Sequence, residues 1–215
     1  MVHIAIADYG IGNLRSAEKA LQHLGADACL TTDADQIARA GAVVVPGVGH
    51  FGACMHALRA SGLEAAVRDA AASGRPFLGI CVGMQMLFEG SDEAPEVEGL
   101  GIVAGRVRRL PDSEKLPQIA WNTVEVATGS EMFAGLGRQP WLYFVHSYAP
   151  EASDPAVVSG WCNYGTRFSC AIEQANVWAT QFHPEKSGAV GLALLANFVA
   201  RANLGARTNL GTPVG

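Results

Sequence analysis

Charge is scarce in this 215-residue chain. Charged side chains make up 16% of it, and the 15 Lys and Arg are outnumbered by 20 Asp and Glu, for a formal net charge of -5. Nothing in that balance points to a basic nucleic-acid surface. Long hydrophobic runs are missing too: no apolar stretch approaches the roughly 20 residues of a membrane span. The opening "MVHIAIADYG" has neither a basic segment nor a cleavage site, and it reads as a first strand rather than a signal peptide. Cysteine is sparse and irregular. Cys29, Cys54, Cys81, Cys162 and Cys170 are odd in number and form no CxxC, which argues against a disulfide framework or zinc site and for a reducing cytoplasm. No His/Cys/Asp/Glu set has metal-ligand spacing, and "DYGIGN" is not the dinucleotide G-x-G-x-x-G pattern, so neither metal nor cofactor is expected. Repeats, linkers and low-complexity segments are absent as well.

What is present is a hydrophobic fraction of 49%, enough in a chain of this length for one domain with a sizeable core. Through residue 91 strand and helix patterns alternate. "HIAIADYG" (3–10) is a strand and turn, "NLRSAEKALQHLG" (13–25) has helical spacing closed by Gly25, and "ADACLTT" (26–32) is a second strand. "DADQIARA" (33–40) is a short helix, and "AVVVPGVGHFG" (42–52) a strand stopping at Pro46 before a glycine-rich loop. Residues 53–74 are one or two helices broken at Ser61-Gly62, and residues 75–91 run strand, turn, helix. This alternation predicts an α/β fold: a central, mostly parallel sheet with helices on both faces. The second half, with "GLGIVAGRVRRL", "NTVEVA", "WLYFVHSYAP", "AVVSGWCNYG" and "FSCAIEQANVWATQFHPE", predicts a β-rich, more antiparallel region. An apolar helix over 190–203 closes a single domain of residues 1–204, and 205–215 reads as a mobile tail.

The stretch "FLGICVGMQMLF" (77–88) places Cys81 between Gly79 and Gly83, where the strand pattern becomes a helix pattern. A nucleophile on such a turn is lifted above the sheet edge, and the following helix N-terminus favours its thiolate. G-x-C-x-G has the logic of the G-x-S-x-G elbow with sulfur for oxygen. In "TQFHPEKS" (180–187), His183 and Glu185 are two residues apart, a spacing that lets both point one way just past a strand. An imidazole can take the thiol proton and a carboxylate can fix its tautomer. "PGVGHFG" (46–52) frees backbone N–H groups that could face a developing oxyanion. Each piece alone has an ordinary reading: a small buried cysteine, a surface H-P-E turn, a common βα loop. Their joint order is much more specific.

Together "PGVGHFG", "GICVGMQ" and "FHPEKS" resemble the class I (triad) glutamine amidotransferases. Within that family "IADYGIGNLRSAEKAL", "LFEGSDEAPEVEGLGI", the "WN" at 121–122 and "YFVHSY" at 143–148 are most similar to the glutaminase subunits of imidazole glycerol phosphate synthase, over about residues 3–202. The resemblance implies a flavodoxin-like amidotransferase fold with Cys81 as nucleophile, His183 as general acid/base and Glu185 as its orienter. It implies an oxyanion hole from Val82 and from Val48 or Gly49, with a loop amide that turns toward the site when the partner's substrate binds. Gln85, Glu93 and the backbone of His146, Ser147 and Tyr148 are implied in holding glutamine. The family passes ammonia to a (β/α)₈ cyclase subunit. No barrel pattern or phosphate loop occurs here, so that partner is expected as a separate chain, meeting this one near Asn13, Trp121, Tyr143 and Lys186. Pro117-Gln118-Ile119-Ala120-Trp121-Asn122 departs from the family's Pro-His-Met/Ile-Gly-Trp-Asn, which leaves open a paralogue feeding a different synthase; a stand-alone cysteine hydrolase is the other alternative. His50 is read as bracing the loop or meeting the partner, His3, His23 and His56 as structural, and Cys54, Cys162 and Cys170 as packing.

Overall fold

The structure is a computed structural model and describes residues 2–209. Its first half follows the predicted alternation: β1 (His3–Ala7), α1 (Leu14–His23), β2 (Asp27–Thr31), α2 (Ala34–Arg39), β3 (Ala42–Gly47), α3 (Phe51–Ala60), α4 (Glu64–Ala72), β4 (Phe77–Cys81) and α5 (Val82–Gln85). Local chemistry sets the boundaries. The Asp33 carboxylate accepts from the Asp35 N–H at 2.8 Å to start α2, and Gly62, at φ +76°, separates α3 from α4. Strands then dominate: β5 (Gly90–Ser91), β6 (Ala94–Glu98), β7 (Gly105–Arg109), β8 (Gln118–Thr123), β9 (Glu125–Val126), β10 (Trp141–His146), β11 (Tyr148–Ala152), β12 (Val158–Asn163), β13 (Arg167–Gln174) and β14 (Val177–Thr180), before the final helix α6 (Gly188–Asn209).

The main sheet has the order β2-β1-β3-β4-β14-β13-β12-β9. Its first five strands are parallel, and β13, β12 and β9 extend it antiparallel. The chain steps one way from β1 to β2 and the other way from β2 to β3 and β4. Right-handed crossovers therefore place α1 on one face and α2, α3 and α4 on the other. The packing agrees: α1 contacts α6, and α2 contacts α4. Ile4, Ile6, Val43, Val44, Val45, Phe77, Leu78 and Trp178 are buried in this sheet, each such side chain contributing about 1.5–3 kcal/mol of transfer free energy.

Register positions the chemistry. Gly47 pairs with Cys81 at the carboxyl ends of β3 and β4, and Ile80 pairs with Thr180 at the end of β14. The glycine loop, the cysteine turn and the His-Pro-Glu stretch therefore leave the sheet side by side.

Some expectations are corrected. Strand β3 runs through Pro46 to Gly47. The run around residues 122–127 is two strands in different sheets: β8 pairs with β10, while β9 joins the edge of the main sheet. "WLYFVHSYAP" likewise divides at Ser147, because β11 leaves to pair with β7 in a small sheet ordered β11-β7-β5-β6. The helix after Cys81 is one turn long. Helix α6 continues to Asn209, so residues 205–209 of the expected tail extend it, and the rest of that tail lies outside the described residues. Contrary to the expectation for apolar runs, Gly188–Gly205 is long and apolar enough to cross a membrane by length and composition. Leu194, Leu195, Phe198 and Ala202 are buried, with Phe198 against Trp178, and 33% of that stretch is buried in all.

Candidate active site

Cys81 ends β4 with φ +56° and ψ -113°, a region that L side chains rarely adopt. The surrounding glycines are obligatory by contact. A Cβ on Gly79 would lie 2.9 Å from the Gly83 carbonyl oxygen, and one on Gly47 would lie 2.7 Å from the Gly83 nitrogen. The elbow is thus a place where three backbone segments touch, and it raises the thiol into a cavity of about 370 Å³. Because α5 is a single turn, its dipole is weaker than the sequence pattern suggests.

His183 Nδ1 bonds Glu185 Oε1 at 2.8 Å, with the two side chains only 3% and 2% exposed. That bond leaves Nε2 free on the side of the cavity that Cys81 lines. Burial opposes charge on His183, but the neighbouring Cys81 and the bonded Glu185 outweigh it and push the pKa up to about 10. The backbone fixes the ring as well. The His183 N–H donates to the Tyr143 carbonyl at 3.0 Å, and Ser187 Oγ donates to the His183 carbonyl at 2.7 Å while accepting from the Tyr143 N–H at 3.0 Å.

The cavity gathers most of the residues singled out from sequence. Val48, Gly49, Cys81, Val82, Gln85, Glu93, His146, Ser147, Tyr148, His183, Asn13 and Lys186 line it. Glu185 stands behind His183. Trp121 and Tyr143 lie outside it on the β8–β10 ribbon, their rings 5.9 Å apart. Gln85 donates to the Tyr148 carbonyl at 3.0 Å and to Gln181 Oε1 at 2.9 Å, so it braces the wall on which Tyr148 sits. Glu93 accepts from the Phe51 N–H at 2.6 Å, tying the cavity rim to α3. His146 Nδ1 faces the Tyr148 carbonyl at 2.9 Å, and burial lowers its pKa to about 4, so the ring is neutral. His50 caps α3, its Nδ1 accepting from the Gly52 N–H at 3.1 Å, and so braces the loop as expected.

Sequence reasoning missed Gln181 and Ser187. Gln181 is fully buried and its Nε2 donates to Cys81 Sγ at 3.7 Å. It sits two residues before His183, and the same alternation that aligned His183 with Glu185 would have pointed to it. Among the described residues no group of three or more His, Cys, Asp or Glu could hold a metal ion.

A buried thiol, an imidazole with its tautomer fixed by a carboxylate, and a loop of backbone amides form an acyl-transfer constellation. The family profile for "Glutamine amidotransferase class-I" matches residues 5–202. The chain belongs to the class I glutamine amidotransferase family. Its curated relatives include "Imidazole glycerol phosphate synthase subunit HisH" of Deinococcus radiodurans, 48% identical over 91% of this chain and 92% of the relative. The protein of that name from Symbiobacterium thermophilum is 46% identical over 92% and 93%. Among solved structures, one described as a glutamine amidotransferase superposes with TM-score 0.70 at 24% identity, covering 93% of this chain and 98% of that one. The structure of PurLQS from Thermotoga maritima superposes with TM-score 0.73 at 19% identity, covering 95% of this chain and 99% of that one. As an amidotransferase of the HisH kind, the chain is an enzyme, and the main sheet and flanking helices are those of its family.

Proposed function

We propose that this amidotransferase hydrolyses glutamine through Cys81, His183 and Glu185 and hands the ammonia to a separate cyclase subunit of imidazole glycerol phosphate synthase. The alignment of thiol, imidazole and carboxylate at one cavity carries the reading. His183 holds at Nε2 the proton drawn from Cys81, and the thiolate attacks the side-chain amide carbon of glutamine. The oxyanion so formed is met by the Val82 N–H and by a loop N–H from Val48 or Gly49. Glu185 stabilises the imidazolium, which then protonates the leaving nitrogen, and ammonia departs from a glutamyl thioester. Water, deprotonated by His183, hydrolyses the thioester to glutamate and restores the thiol. Gln85, Glu93 and the backbone at 146–148 form the pocket for glutamine, and no cofactor is required.

Ammonia released into water at neutral pH gains a proton and loses its lone pair, which favours direct transfer. The surface beside the cavity supports a docked partner. Ile119, Trp121, Tyr143 and Val145 share one face of the β8–β10 ribbon by register, and Val145 reaches the cavity. Ile119 is 61% exposed and Trp121 48%. Asn13 and Lys186 stand on the cavity's rim. A cyclase barrel seated there would close the cavity, and a cytoplasmic setting fits the five free thiols.

Glutamate release measured before and after mixing tests this. The chain alone should work weakly, and the cyclase subunit with its ligand should raise the rate by orders of magnitude. Equal rates with and without that subunit would end the proposal.

A further inference from the structure

The loop that carries Val48 and Gly49 is held from below by two side chains that the mechanism has not used. Tyr9 lies at the end of the turn after β1 and is buried. Its hydroxyl donates to the Pro46 carbonyl at 2.5 Å. Cys54, the fourth residue of α3, is also buried, and its Sγ donates to the Val48 carbonyl at 3.3 Å. The two carbonyls flank the Gly47–Val48 peptide.

Both groups keep their protons at neutral pH, as donors must. Burial pushes the Tyr9 phenol well above its ordinary value and the Cys54 thiol up to about 11. In a trans peptide the N–H points opposite to the carbonyl. Drawing the Val48 carbonyl inward to Cys54 therefore turns the Gly49 N–H outward, away from the core. The Pro46 carbonyl, drawn to Tyr9, fixes the start of the loop in the same way. Glycine at 47 suits this arrangement, because a Cβ there would come within 2.9 Å of the Tyr9 hydroxyl oxygen.

We propose that Tyr9 and Cys54 are positioning residues for the glutaminase reaction, clamping the carbonyls of Pro46 and Val48 so that the amides of the oxyanion loop keep their aim. Neither side chain touches substrate. The idea rests on the glutaminase reading of the cavity and adds two residues to it. The Cys54 thiol, which sequence alone reads as packing, thus serves as a hydrogen-bond donor.

The test is steady-state glutamine hydrolysis by Tyr9→Phe, Cys54→Ala and Cys54→Ser, in the free chain and in the complex with the cyclase subunit. Ammonia-dependent synthesis and thermal melting are followed alongside. Misaimed oxyanion donors weaken the transition state more than the ground state. Tyr9→Phe and Cys54→Ala should therefore lower kcat at least about tenfold with KM within about threefold. Cys54→Ser, whose hydroxyl can still donate to Val48, should recover most of the lost rate. Ammonia-dependent synthesis should not change. A Cys54→Ala enzyme with wild-type kcat, or a Cys54→Ser enzyme as slow as Cys54→Ala with the same melting temperature, would overturn the clamp. Failure of the partner reading looks different: wild type and variants would then show the same rates with and without the cyclase subunit, while the kcat pattern among the variants would remain.

Discussion

Gly83 packs its α-carbon directly on the backbone of Val45: a Cβ at position 83 would lie 1.8 Å from the Val45 carbonyl oxygen. The obstacle is backbone of a central strand, so no side-chain rotation can relieve it. This contact joins the elbow that carries Cys81, the proposed nucleophile, to the strand that feeds the Val48–Gly49 loop. Shape at one glycine therefore couples the two halves of the proposed catalytic apparatus.

From that contact, Gly83→Ala should cost at least about 2 kcal/mol of stability. In a domain of this size the melting temperature should drop by about 5 °C or more. Glutamine hydrolysis should fall further than stability alone explains, since Cys81 and the loop are displaced together. A variant that melts and turns over like wild type would show that the elbow has slack that the geometry denies.

The strain at Cys81 separates chemistry from folding. Cys81→Ala and Cys81→Gly both remove the sulfur, and both should abolish glutamine-dependent synthesis while leaving ammonia-dependent synthesis by the complex intact. They should differ in stability. Alanine keeps the cost of φ +56°, of order 1–3 kcal/mol, whereas glycine relieves it and repays part through a more disordered unfolded chain. Cys81→Gly should melt about 2–4 °C above Cys81→Ala, a net difference of about 1 kcal/mol. Loss of ammonia-dependent synthesis in both would assign Cys81 to assembly instead of chemistry.

The apolar ribbon face makes a separate prediction about the partner. Trp121→Ala removes an exposed ring that packs at a tilt against Tyr143 but lies outside the core. Melting should shift by less than about 2 °C. Calorimetric affinity for the cyclase subunit should weaken at least about tenfold, as expected of an aromatic anchor. Unchanged affinity would move the docking surface away from the β8–β10 ribbon.

Much of the site could be read from residue order because its parts are local. Gly79, Cys81 and Gly83 specify a tight turn within five residues, and His183 and Glu185 lie two apart in extended chain. The alternating strands and helices up to residue 91 are likewise written in local periodicity. What could not be read is settled by distant pairing. Nothing in "NTVEVA" indicates that β8 turns to β10 while β9 joins β12, since both strands have the same pattern and their partners lie about 20 to 40 residues onward. Gln181 escaped notice for a related reason: its importance comes from facing Cys81 across one hundred residues of sequence. Cys54 looked like packing because its acceptor is a backbone carbonyl, which leaves no mark in a pattern of side chains.

The two histidines of the cavity pull stability in opposite directions with pH. His183 has its pKa raised from an ordinary 6.5 to about 10, so its proton stabilises the fold. That contribution is complete below about pH 6.5 and is lost as pH rises through about 10. His146 has its pKa lowered from 6.5 to about 4, so the fold favours the neutral ring. Its contribution is complete above about pH 6.5 and is lost as pH falls through about 4. Melting temperature against pH should therefore decline on both sides of about 6.5. Glu185→Gln removes one of the bonds that hold the His183 proton, and it should flatten the alkaline limb while leaving the acid limb as in wild type. His146→Gln, which cannot titrate, should do the reverse. An alkaline limb of wild-type slope in Glu185→Gln would mean that the carboxylate orients the imidazole without stabilising its charge, and the role given to Glu185 in the acyl-transfer step would have to be withdrawn.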